Sequence, residues 1–62
     1  MNDITIHFNE LRKAISQLEA YNCKCVTLTL LEPEEDSCGD LIPATLVLSC
    51  GDVEEYIESI SN

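Results

Sequence analysis

Ile4, Ile6 and Phe8 alternate with Thr5 and His7, the two-residue period of a half-buried strand. Asn9 follows as a candidate N-cap. Leu11, Ala14, Ile15 and Leu18 then recur at helical spacing until Tyr21-Asn22 closes the segment. Apolar and β-branched residues alternate with polar ones again from Cys25 to Leu31 and from Ile42 to Cys50, predicting two strands joined by an acidic, Gly-containing connection. Gly51 breaks the second of these. Asp52 and Glu55 have the spacing of a capping box, and Val53, Tyr56, Ile57 and Ile60 form an apolar stripe, which predicts a second helix.

The predicted order is β-α-β-β-α, an α+β fold of two layers: a three-stranded sheet with both helices on one face. A right-handed crossover would make the first two strands parallel, and a hairpin would add the third. The helix stripes would meet Ile4, Ile6, Phe8, Val26, Leu28, Leu30, Leu46 and Leu48. Thr5, His7, Thr27, Thr29, Thr45, Val47 and Ser49 would line the open face. Hairpin register follows from keeping apolar residues together. Pairing Leu30 with Leu46 sets Leu28 against Leu48 and Val26 against Cys50. A slip of one residue would oppose Val26, Leu28 and Leu30 to Ser49, Val47 and Thr45. The first register makes Cys50 a small core residue and turns Cys25 away from it.

The 62 residues fit one small domain, 1–62, and 45% hydrophobic with 24% charged residues excludes disorder from low hydrophobicity. No apolar run approaches the ~20 residues that cross a bilayer, and Met1-Asn2-Asp3-Ile4 lacks the basic and apolar regions of a signal peptide. The expectation is a cytoplasmic protein. There Cys23, Cys25, Cys38 and Cys50 would stay reduced and free.

Charge changes the picture most. Asp3, Glu10 and Glu19 balance Arg12, Lys13 and Lys24, so the net charge of -9 falls on Glu32, Glu34, Glu35, Asp36, Asp40, Asp52, Glu54, Glu55 and Glu58, with no base beyond Lys24. Such a field repels nucleic acid and anionic membranes and attracts basic protein surfaces. Helix capping and hairpin-tip solvation account for either acidic cluster alone. They do not account for Glu58 or for the missing bases, since ordinary surfaces intersperse both signs.

Catalytic and metal chemistry find little to work with. His7 is the one histidine, placed among threonines, and Ser16, Ser37, Ser49, Ser59 and Ser61 carry no nucleophile motif. Gly39 and Gly51 are too few for a phosphate-cradling loop. The cysteines read C-x-C and two singles rather than paired knuckles, and Cys38 at the tip stands at the far end of the hairpin from Cys25, so no zinc site is expected. Counted from Glu34, an EF-hand loop matches at Asp36 and Gly39 but puts Cys38 at its fifth and Thr45 at its twelfth position, so no calcium site is expected either. No cofactor and no enzymatic activity are expected.

The carboxylates of "EPEEDSCGD" (Glu32, Glu34, Glu35, Asp36, Asp40) and "DVEEYIE" (Asp52, Glu54, Glu55, Glu58) therefore form the candidate partner-binding site. A small acidic α+β chain of this kind resembles the phage-encoded anti-CRISPR proteins, several of which mimic DNA. The resemblance lies in size, charge and style. It implies a non-catalytic inhibitor acting in the host cell as a monomer or homodimer, whose acids occupy the DNA-entry or PAM-reading surface of a CRISPR effector subunit or another basic DNA-binding protein. The alternative is a small regulatory or assembly module, homodimeric through the open face bearing Thr27, Thr29, Leu31 and Val47 or through an unpaired sheet edge.

Overall fold

The computed structural model describes residues 3–60, so the expectations resting on Met1, Asn2 and Ser61 fall outside it. Helix α1 spans Phe8–Ala20. His7 (φ -72°, ψ 135°), rather than Asn9, is its N-cap, and the His7 carbonyl accepts from the amides of Glu10 (3.1 Å) and Leu11 (3.3 Å). Phe8 is already helical, and the described residues before it form no ladder, so the predicted first strand at Ile4–Phe8 is not found among the described residues. Its place is taken by an arm in which Thr5 O accepts from the Ile60 amide at 2.8 Å.

The end of α1 is a Schellman motif. Asn22 takes the left-handed conformation (φ 63°), its amide donates to Glu19 O, and the Cys23 amide donates to Leu18 O. That turn reverses the chain into β1 (Thr27–Leu31), which is followed by β2 (Glu34–Glu35), β3 (Leu41–Ile42), β4 (Thr45–Cys50) and β5 (Val53–Glu58). A three-stranded antiparallel sheet runs in the order β1-β4-β5, and β2 pairs with β3 in a two-stranded one.

This corrects the predicted β-α-β-β-α fold with two helices: the described residues hold one helix, and each strand pairing among them is antiparallel. The second helix is replaced by β5. Gly51 (φ 61°) and Asp52 make a two-residue connection between the paired Cys50 and Val53, a tight hairpin turn with glycine at its first central position. The sequence "VEEYIE" carries both periods, because Val53, Glu55 and Ile57 alternate as well as Val53, Tyr56 and Ile57 recur. A helix of nine residues or so is marginal alone. Pairing with β4 supplies a full ladder instead.

The expected hairpin register is present: Leu28 pairs with Leu48 and Leu30 with Leu46. It continues without a shift through Glu34–Ile42 and Glu35–Leu41. Pro33 and Pro43 thus share one rung, and because neither has an N–H to donate, the ladder breaks there into two sheets.

Leu48, 1% exposed, packs with Ala14, Leu18 and Ile57, and Ile6, Leu11, Leu46 and Val53 close around them. The helix covers β4 and β5 and leaves β1 beyond its reach. Leu28 is consequently 60% exposed, and Val26 and Phe8, also expected in the core, are exposed too. Val47, expected on the open face, is buried at 6% exposure on the central strand between Thr29 and Tyr56. Cys23 and Cys50, expected as free thiols, form a disulfide with their Cα atoms 6.3 Å apart, while Cys25 and Cys38 remain free and exposed. The Schellman turn brings Cys23 to the end of β4, where Cys50 sits.

Candidate functional site

Eight of the nine candidate carboxylates are exposed: Glu32, Glu34, Glu35, Asp36, Asp40, Asp52, Glu54 and Glu58. Glu55 is the exception. It pairs with Leu48, so it shares the helix-covered face of the sheet and is half-buried there. With a strand where a helix was expected, Glu54, Tyr56 and Glu58 stand together on the opposite face, on the rungs of Ser49, Val47 and Thr45. Glu54 and Glu58 are about 13 Å apart at ordinary strand rise.

The reversal at Gly51-Asp52 also changes how the acidic clusters relate. In the predicted fold the hairpin tip and the start of the second helix would lie at opposite ends of the third strand. Instead β5 runs back along β4, so Glu58 lies level with Thr45 and Leu31, at the end of the sheet from which the β2–β3 arm extends, while Asp52 and Glu54 hold the other end.

At the arm's tip, Asp36 serves the loop itself. Its Oδ1 accepts from the amides of Cys38 and Asp40 at 2.9 Å each, its amide donates to Asp40 O at 2.9 Å, and Gly39 closes the turn at φ 85° by donating to Asp36 O. This three-residue hairpin loop fixes the directions of Glu34, Glu35 and Asp40.

Tyr56 was expected on an apolar helix stripe and is 60% exposed amid the acids. Its hydroxyl donates to Glu54 Oε1 at 2.9 Å, and this bond first, then the carboxylate's charge, holds the phenol above its ordinary titration range. The alternation Glu54-Tyr56-Glu58 after a Gly-Asp pair was the signal for this placement. His7, expected among threonines on the open face, is instead exposed at the start of α1.

The bases lie elsewhere. Arg12 and Lys13 are on α1, where the Arg12 guanidinium sits 4.7 Å from the centre of the Phe8 ring, and Lys24 precedes β1. A shallow groove of about 160 Å³ between α1 and the start of β1, lined by Ile15, Leu18, Val26 and Leu48, is smaller than pockets that enclose small-molecule ligands. Among the described residues, no three His, Cys, Asp or Glu side chains are grouped as a metal site, and no helix is long and apolar enough to cross a membrane. No protein-family model, curated protein or solved structure matches the chain.

Proposed function

We propose that this chain is a non-catalytic inhibitor whose acidic surface stands in for DNA phosphates on the cationic site of a DNA-binding protein, with DNA or PAM recognition by a CRISPR effector as the process blocked. The observation that supports it is the exposure of eight of the nine carboxylates, with Glu54 and Glu58 on one face of β5 and Glu34, Glu35 and Asp40 on the β2–β3 arm. From Glu32 onward the chain carries nine carboxylates and no base, giving that part of the molecule a field of the sign that a cationic DNA-binding site attracts. A rigid sheet presents these charges without the ordering cost a disordered acidic tail would meet on binding.

On this reading the chain acts in the host cytoplasm, where Cys23 and Cys50 are held reduced. The fold then depends on the packing of Leu48, Ala14, Leu18 and Ile57.

The test is a pull-down from nuclease-treated bacterial lysate, followed by competition between this chain and DNA for the recovered protein. Mimicry predicts stoichiometric displacement of DNA. It also predicts loss of binding by Glu34→Lys with Glu35→Lys, and by Glu54→Lys with Glu58→Lys, each at positions exposed enough to leave the fold intact. Unchanged affinity of both double variants at low salt would refute the proposal.

A further inference from the structure

The two edges of the main sheet differ in a way that bears on self-association. Edge strand β5 carries Glu54, Glu55 and Glu58, so pairing two copies there would set carboxylate against carboxylate. Edge strand β1, Thr27–Leu31, has no charge, proline or glycine to deter pairing, although protein edges are usually blunted by such devices. Leu28 on its helix side and Val26 just before the strand are also exposed.

We propose that the chain forms a homodimer through the free edge of β1, paired antiparallel about a two-fold axis at Leu28. The two sheets then join into one of six strands with both helices on the same side. In this register Leu28 meets the partner's Leu28, Val26 meets the partner's Leu30, and Thr27 meets the partner's Thr29. Lys24, just before the strand, lies across from the partner's Glu32, and the symmetry makes that opposite-charge pair twice. Centring on Thr27 instead sets Lys24 against the partner's Leu30, and centring on Thr29 sets Val26 against the partner's Glu32. Only the Leu28 register of these three matches apolar with apolar and base with acid. The dimer leaves both β5 edges and their acids uncovered but engages Glu32, one of the candidate carboxylates, so variants confined to β5 are what separate it from the inhibitor reading.

Sedimentation equilibrium up to about 100 μM should give twice the 6.9 kDa chain mass. Leu28→Lys places like charges on the two-fold axis at a mostly exposed position, so it should give a monomer with an unchanged circular dichroism spectrum. Lys24→Glu should weaken the dimer by about tenfold through two symmetric repulsive pairs, and Glu32→Lys in the same chain should restore it. A wild-type chain that stays at 6.9 kDa overturns the proposal, as does a dimer indifferent to Leu28→Lys. A monomer whose β1 amides gain exchange protection only when a basic protein binds would assign the edge to that protein and overturn it equally.

Discussion

Tyr56 and Glu54 stand two residues apart on one strand, close enough for the phenol to donate to the carboxylate at 2.9 Å. Deprotonation would break that bond and set two anions side by side, which is why the tyrosine titrates above its ordinary range. The folded-state value is the raised one. The bond's contribution is therefore complete below the unfolded tyrosine value of about 10 and disappears as pH rises through the folded value. Ultraviolet titration should show Tyr56 ionising above the ordinary tyrosine range, and Glu54→Gln should bring it down toward that range. At the arm's tip, Gly39 occupies the left-handed region at φ 85°, and a Cβ added there would meet nothing within 4 Å. Backbone strain alone opposes a side chain. Gly39→Ala should thus cost about 1–2 kcal/mol in a denaturant titration, with Gly39→Asn costing less.

Among the elements, the β1–β4 register was legible because Leu28, Leu30, Leu46 and Leu48 match in only one alignment, and α1 because its stripe has a single period. The segment after Gly51 was not, since Val53, Tyr56, Ile57 and Ile60 fit a helix while Val53, Glu55 and Ile57 fit a strand. The decision lay in the two-residue Gly-Asp turn and in the ladder available from β4. The acids of the candidate site were legible as charge. Their placement was not, because it depends on β5 running back beside β4. The Cys23–Cys50 bond could not be read from spacing either, as it follows from how the Schellman turn places Cys23. It closes a loop across 27 positions, which loop entropy values at about 3–4 kcal/mol. A domain of this size is stable by only about 3–9 kcal/mol. Reduction, or Cys23→Ser with Cys50→Ser, should therefore lower Tm by about 12–32 °C in a thermal melt. Leu48→Ala, at the most buried side chain, should cost about 2–5 kcal/mol and unfold most of the reduced protein.

For the whole molecule, two associations are proposed on different edges, and their electrostatics have opposite signs. Two copies each carry a net charge of -9 and repel, although the edge where they would meet is locally neutral between Lys24 and Glu32. Raising salt screens the net repulsion, so the homodimer should tighten or hold. A basic partner is attracted by the same charge, and screening must weaken that complex. Its affinity should fall by about tenfold or more between roughly 50 and 200 mM salt, as expected when several charge contacts are lost to screening. Measuring both equilibria across one salt series separates the two surfaces. If the basic partner's affinity does not change with salt, the acidic surface is not what it binds. If the homodimer dissociates as salt rises, its contacts are chiefly charge pairs rather than the Leu28 edge. Glu54→Lys with Glu58→Lys shifts the charge of β5 by four units, replacing two carboxylates with two ammonium groups. It should loosen the basic partner and leave the β1-paired dimer unharmed, because neither residue lies on the strand where the copies meet.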